Sequence, residues 1–302
     1  MINAKYDLKE NIPTLAIVLA YYKGSKYIKD QINSIFNQSF VNFVLFISND
    51  SKEEKINLKD CNLNSQELSR IKIIERKNSL GCINNFLITL GDIKEPFDYY
   101  AMSDQDDIWF KDKILNAIDA LKKYTNSTPN LYGSRTEIFN KNCIKKLGTS
   151  KLLKKPLSFK NALVENFAGG NTMVFNSTAK DLIVNTSRNL QVAHHDWWSY
   201  LIISGVGGNV IYDKRPSLKY RQHGINLTGT NRGIKSKFSR LIKFKKGNYR
   251  EWNSININAL IINESLLKKC NKKTLHFFNK SRNPNLVIRI IFFFRSKVYR
   301  QS

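Results

Sequence analysis

Alternating apolar runs and amphipathic stretches predict an α/β protein built on a mostly parallel, Rossmann-like sheet flanked by helices. Two more observations point to that class. Polar residues gather directly after each apolar run, where open α/β sheets bind ligands, and a hydrophobic share of 42% suffices for buried cores. Thr14–Tyr22 (TLAIVLAYY) carries no charge and reads as a strand buried on both faces. Gly24 and Ser25 punctuate it, and Tyr27, Ile28, Ile32, Ile35 and Phe36 give Lys26–Asn37 a helical period. Phe43–Ile47 and Ile71–Glu75 read as the next strands, and the Asn78–Gly81 turn leads into a helix over Cys82–Leu90. A fourth strand, Asp98–Met102, runs straight into Ser103-Asp104-Gln105-Asp106-Asp107. Beyond it the pattern is less regular. Helices are expected over Ile114–Tyr124 and Asp196–Ser204, and strands at Asn130–Phe139, Thr172–Phe175 and, briefly, Val210–Tyr212.

The chain has 302 residues and carries 49 Lys and Arg against 24 Asp and Glu, a formal net charge of +25. Taken alone, that excess suggests nucleic-acid binding. It is unevenly placed, however: from Asn231 onward 18 basic residues face two acids, Glu251 and Glu264. A composition shift near Gly229–Gly233 therefore divides a moderately basic body from a very basic tail. No charged segment followed by an apolar one opens the chain, so no secretory signal is expected. No apolar stretch reaches the roughly 18 residues that span a bilayer. Cys61, Cys82, Cys143 and Cys270 are far apart and lack metal-ligand spacing, which predicts a reducing compartment and argues against a disulfide or zinc scaffold.

Chemistry concentrates at Asp104, Asp106 and Asp107. Three carboxylates in four residues repel one another, and a divalent cation turns that repulsion into attraction. Side chains two apart on extended chain share a face, so Asp104 and Asp106 can converge. An Asp-x-Asp after a buried strand suggests Mg²⁺ or Mn²⁺ shared with a diphosphate, although a solvated acidic turn capping the next helix would carry the same residues.

The string Met102-Ser103-Asp104-Gln105-Asp106-Asp107-Ile108-Trp109 is followed by Gly169-Gly170-Asn171-Thr172-Met173, His195-Asp196-Trp197-Trp198 and Tyr220-Arg221-Gln222-His223-Gly224. Together with the opening strand and in this order, these strings resemble bacterial family 2 glycosyltransferases of the GT-A fold, within them the rhamnosyltransferase-like branch. The resemblance covers roughly Thr14 to Gly229. It implies an inverting glycosyltransferase of the hexosyltransferase type, which moves a sugar, rhamnose among the candidates, from a nucleoside-diphosphate donor to a lipid-linked or cell-surface polysaccharide. Carried over residue by residue, it gives Ala20, Tyr21, Asp50, Asp104, Gly170 and Arg221 to the nucleotide sugar, and Asp106, Asp104 and His223 to a Mg or Mn ion. Asp196 takes the place of the catalytic base, and Trp197 and Trp198 are the candidates for acceptor contact. At the second strand the family's Asp-Asp-Gly-Ser reads Asn49-Asp50-Ser51-Lys52 here, so base recognition is expected to differ in detail.

The domain expectation is a GT-A domain over 1–230, with a nucleotide-sugar half to about 110 and an acceptor half from about 111, and a basic amphipathic helical tail over 231–302. Lys235–Lys246 interleaves cations with Phe238, Leu241, Ile242 and Phe244, and Leu286–Phe294 is apolar apart from Arg289. Such a tail suits the surface of an anionic membrane, which predicts a cytoplasmic enzyme peripheral to the inner face of the cell membrane, with no nucleic-acid partner. A helical appendage packed on the body, or on a second subunit of an oligomer, would have a similar sequence.

Overall fold

A computed structural model describes residues 12–223, 248–283 and 285–298. The chain runs β1 (Leu15–Tyr21), α1 (Ser25–Phe36), β2 (Phe43–Asn49), α2 (Ser65–Leu68), β3 (Ile71–Glu75), α3 (Gly81–Asp92) and β4 (Tyr99–Ser103). It continues through β5 (Ile108–Trp109), α4 (Lys113–Leu121), β6 (Asn130–Phe139), β7 (Lys146–Thr149), α5 (Phe159–Ala162), β8 (Val174–Asn176), α6 (Ser177–Ser187), α7 (His195–Val206) and β9 (Asn209–Arg221). Among the described residues, three helices follow, α8 (Asn248–Ile262), α9 (Lys269–Lys280) and α10 (Leu286–Ser296).

The strands form one nine-stranded sheet in the order β3-β2-β1-β4-β8-β6-β9-β5, with β7 on β6. The first four are parallel, β8 is antiparallel to both neighbours, β6 and β9 are parallel, and β5 runs antiparallel to β9. Alternate residues of β1 enter separate cores: Ala16 and Val18 face α3, α6 and α7, while Leu15, Ile17 and Leu19 face α1 and α4. A strand lined on both faces needs a continuous apolar run, which is why TLAIVLAYY shows no period of two.

The parallel half follows the sequence closely. Where the expectations fail, tertiary pairing has overridden local pattern. The brief strand expected at Val210–Tyr212 extends to Arg221, because β6 offers a partner throughout and the charged Asp213–Pro216 stretch is accommodated by register shifts. Thr172 lies in a short 3-10 turn over Gly170–Thr172, and β8 begins after it. The pairs of short strands β5 and β7 and the helix α6 were not anticipated.

The basic tail is also not a separate appendage where it is described. Ile257, Ala259 and Leu260 of α8 and Leu275 and Phe278 of α9 join the same core as Leu201, Ile202 and Ile203 of α7. Polar contacts seal the joint: Ala193 N donates to Asn256 Oδ1 at 3.0 Å, Lys268 N to Gly205 O at 3.0 Å, and Asn271 Nδ2 to Gly205 O at 2.9 Å. Gly205 permits this approach, since a Cβ there would stand 2.7 Å from Leu267 Cδ2. The boundary near Gly229–Gly233 and the Lys235–Lys246 segment lie outside the described residues.

Because α8 shares the body's core, Leu260→Ala should destabilise the whole protein by about 2–5 kcal/mol and leave a single thermal transition. A second, independent transition would show the extension to be a separate unit.

Candidate active site

Paired register brings the ends of β1, β2 and β4 to one edge of the sheet: Tyr21 lies opposite Asn49, and Leu19 opposite Ser103. The acidic turn after β4 is fixed there from several sides. Gln105 grips the chain after β1, accepting from Tyr22 N at 2.8 Å and donating to Tyr22 O at 3.0 Å. Gly24 makes room for this clamp, because a Cβ at that position would sit 2.3 Å from Gln105 Oε1. With its amide oriented to suit all its neighbours, Gln31 donates to Asp107 O at 2.5 Å and accepts from Trp109 Nε1 at 3.0 Å.

The three carboxylates then part company. Asp107 turns inward and is fully buried, taking Asn171 Nδ2 at 2.5 Å. Burial, then Asp106 and Asp104, push its carboxyl well above the usual range. Buried Lys113 lies beside it, its Nζ 3.5 Å from the Trp109 ring centroid and its ammonium pushed down to about 7 by burial, against the pull of Asp107. Asp106 Oδ2 lies 2.6 Å from His223 Nε2. Asp104 is pushed up to about 7, first by burial and then by the charges of Asp106 and Asp196.

Asp196 stands in the first turn of α7, at the positive end of that helix. Its Oδ1 accepts from Trp197 N at 2.7 Å and its Oδ2 from Gly170 N at 3.2 Å. Gly170 has to be glycine, since a Cβ would meet His195 Nε2 at 2.4 Å. His195 is buried, stacks on Phe86 with centroids 4.3 Å apart, and is held below its ordinary range by that burial. The structure thus gathers Asp104, Asp106, Asp196, Gly170 and His223, which the sequence places up to 119 positions apart, at the carboxyl edge of the sheet.

Five of the expected contact residues need correction. Trp197 and Trp198 are 4% and 0% exposed within the core, and Trp197 Nε1 donates to Ala162 O at 2.7 Å, so neither indole presents a face to an acceptor. Arg221 is buried and its guanidinium is engaged by protein: Nη2 meets Asp30 Oδ2 at 2.7 Å, Nη1 Lys141 O at 2.8 Å and Nε Asp106 O at 2.8 Å. It braces the acidic turn from within the protein. The Tyr21 ring is buried in the core against α1, its hydroxyl pushed up by burial and by Glu54, so only its backbone reaches the sheet edge; Ala20 beside it is half-buried. Asp50 is buried and accepts from Ser79 Oγ at 2.9 Å, Leu80 N at 2.6 Å and Gly81 N at 2.9 Å. It therefore moulds the Asn78–Gly81 turn, where Gly81 holds a φ of +74°.

Sequence reasoning passed over Cys82, just inside α3. Its thiol is pushed up to about 12, by burial first and then by the charges of Asp104, Asp196, Asp106 and Asp50. Nothing in its spacing signalled this. Tyr27 was read only as a helix-face residue, yet its ring stacks on His223 with centroids 4.8 Å apart. Asp106 and His223 are the pair that could hold a cation. A carboxylate oxygen beside an imidazole nitrogen, with the Asp104 carboxyl nearby, is a donor set that Mn²⁺, or Mg²⁺ through the carboxylates, would complete with phosphate and water. Among the described residues no group of three or more His, Cys, Asp or Glu side chains is gathered tightly enough to hold a metal.

A sheet of this order, with an acidic turn at its carboxyl edge faced by a helix-borne carboxylate, defines a glycosyltransferase of the GT-A type. The sequence profile of glycosyl transferase family 2 matches residues 16–182, and the chain belongs to that family. It is 31% identical over 251 residues to a protein of Shigella flexneri named dTDP-rhamnosyl transferase RfbG, covering 80% of this chain and 84% of that one. It is also 29% identical over 271 residues to an uncharacterized glycosyltransferase of Haemophilus influenzae, covering 86% of this chain and 81% of the relative. Among solved structures, residues 1–349 of S. aureus TarS in complex with UDP-GlcNAc share the fold, with a TM-score of 0.52 at 12% identity, covering 95% of this chain and 92% of that one. The chain is therefore an enzyme, and its charge does not define its activity.

Without a cation, the folded protein keeps a proton on Asp104 up to about pH 7 that an unfolded chain gives up near pH 4. Stability should fall as pH rises between these values and stay lowered above them. Asp104→Asn removes the repulsion, so it should raise the melting temperature by a few degrees at pH 8 and change it little at pH 4.

Proposed function

We propose that the chain is a metal-dependent inverting glycosyltransferase that moves a sugar from a nucleoside-diphosphate donor to a lipid-linked or cell-surface polysaccharide acceptor. The observation that carries the reading is the meeting of Asp106 and His223 at 2.6 Å, with Asp196 close enough to raise the Asp104 carboxyl. Asp106 and His223, with Asp104 beside them, would hold Mg²⁺ or Mn²⁺. The cation, when bound, neutralises the charge that develops on the departing nucleoside diphosphate. Asp196 takes the proton from the acceptor hydroxyl as its oxygen bonds to the anomeric carbon and the bond to the diphosphate breaks. The Gly170 amide holds the Asp196 carboxylate in place for that transfer. A second catalytic acid is unnecessary, because the leaving group departs as an anion. The name of the Shigella relative supports a dTDP-linked deoxysugar such as rhamnose as donor. The 79–81 turn held by Asp50 and the backbone at Ala20 and Tyr21 line the side where the nucleotide would lie.

The acceptor side favours a membrane. Along α10, Val287, Ile288, Ile290, Ile291 and Phe294 are 37–65% exposed, one apolar stripe followed by Arg295 and Lys297. No helix among the described residues is long and apolar enough to cross a bilayer. A stripe of this kind lies in the interface of an anionic leaflet, where each nearby Lys or Arg adds about 1 kcal/mol. The stripe supports our reading of an enzyme peripheral to the inner face of the cell membrane, beside a lipid-linked acceptor.

Asp106→Ala should abolish the Mn²⁺-dependent thermal shift given by nucleotide sugars, while Asp196→Asn keeps that shift and loses about 10²–10⁴-fold in kcat. Near-normal turnover by Asp196→Asn would remove it as the base. Paired Ile291→Asp and Phe294→Asp changes should release the protein from vesicles containing anionic lipid without altering donor binding, and unchanged sedimentation with vesicles would exclude α10 as the contact.

A further inference from the structure

Tyr27, in the first turn of α1, belongs to neither hydrophobic core. Its ring is half-buried and faces polar groups. The His223 imidazole stacks on it with centroids 4.8 Å apart and planes 21° from parallel, and the Arg221 guanidinium lies 4.9 Å from its centroid. One helical turn on, Asp30 accepts Arg221 Nη2 at 2.7 Å. Arg221 in turn donates to Asp106 O at 2.8 Å, and His223 meets Asp106 Oδ2. The same face of α1 therefore touches both halves of the Asp106–His223 pair, the imidazole by stacking and the aspartate backbone through Arg221.

We infer that Tyr27 is a positioning residue of the cation site, its ring fixing the plane of the His223 imidazole while Asp30 locks Arg221 against the Asp106 backbone. This rests on the reading that Asp106 and His223 hold the cation. A stacked ring suits the task. An imidazole on a chain end rotates about two bonds, and only a correctly aimed ring nitrogen can meet an ion held by a neighbouring carboxylate. Stacking removes the freedom to rotate, yet leaves both ring nitrogens free of any direct bond from Tyr27. A ring kept for packing would be surrounded by apolar side chains. This one is surrounded by an arginine, a histidine and, at 5.7 Å, the Lys26 ammonium.

The test is a titration of the full-length protein with Mn²⁺ alone, read by loss of the free-ion electron paramagnetic resonance signal, on wild type, Tyr27→Leu, Tyr27→Phe, Asp30→Asn and Asp106→Ala. Tyr27→Leu should weaken Mn²⁺ binding about 10- to 100-fold, the range for losing an orienting partner of a metal-bound histidine. Tyr27→Phe, which keeps the ring, should stay within about threefold of wild type, and Asp30→Asn should fall between the two. In turnover, Tyr27→Leu should raise the Mn²⁺ concentration needed for half-maximal rate far more than it lowers kcat at saturating Mn²⁺. A Tyr27→Leu protein with an unchanged melting temperature that binds Mn²⁺ as wild type does, both more tightly than Asp106→Ala, would overturn the role of Tyr27 alone. Wild type binding no better than Asp106→Ala would overturn the cation reading and this inference with it. If Tyr27→Leu does not fold, equal binding by wild type and Asp30→Asn counts against the inference.

Discussion

Mutual repulsion among carboxylates at the end of β4 is the constraint around which the site is built. Asp104, Asp106 and Asp107 follow directly on a fully buried strand, so none can escape far into water. The protein answers each differently. Asp107 is drawn inside and given the Asn171 amide, with the Lys113 ammonium close by. Asp106 is matched with His223. Asp104, beside both Asp106 and Asp196, is left with a proton near neutral pH. If the proposed cation and diphosphate bind here, some of this repulsion stays unrelieved until they arrive. Asp104 and Asp106 hold that reserve, while Asp107 has been taken out of play.

These answers reach the acidic turn from distant parts of the chain, and the second half of the sheet delivers them. Trp109 pairs with Leu218 and Ile108 with Lys219, which carries Arg221 and His223 back to the turn that precedes β5. The two-residue β5 thus does more for the site than its length suggests: it ties the end of β9, paired with β6 on its other side, to the segment just after Asp106. Asn171 and Gly170 arrive by the other route, through the 3-10 turn that leads into β8, which pairs with β4 itself. Helix α7 then faces that turn, with the Gly170 amide on Asp196.

The parallel half of the fold was legible because β1, β2 and β4 are buried on both faces and each strand is set off by polar punctuation. The chemistry-bearing strings were legible as well, and their order along the chain foretold which residues would meet. Direction was not legible. Asp104 to Asp107 look alike in sequence, yet one points into the core. Trp197 and Trp198 look like cleft residues because they adjoin Asp196, but on a helix neighbours point 100° apart, and both of these turn into the core between sheet and α8. Arg221 looks like a phosphate ligand, and only three-dimensional packing shows Asp30, Lys141 and the Asp106 backbone each engaging one of its three nitrogens. Cys82 and Tyr27 carry no motif at all, and their importance arises purely from what the fold sets beside them.

The basic extension shows the same limit on a larger scale. Composition marks it as a different kind of segment, and its charge is indeed concentrated there. Its apolar residues nonetheless complete the core behind α7, and α9 docks at Gly205, near the end of that helix opposite Asp196. Helix α10 packs on α9 through Phe277 and Phe292, with ring centroids 5.8 Å apart. The outward apolar stripe is therefore tied, through two packed helices, to the helix whose first turn bears the carboxylate. Helix α7 has 12 residues, about 18 Å of length. A membrane resting on α10 would thus set the tilt of the helix that bears Asp196, and so the angle at which that carboxylate meets an acceptor hydroxyl. On this view the tail's charge belongs to the same device as the active site. The lysines and arginines would bring such an enzyme to the surface, and the shared core would make the orientation of that surface matter to the proposed chemistry.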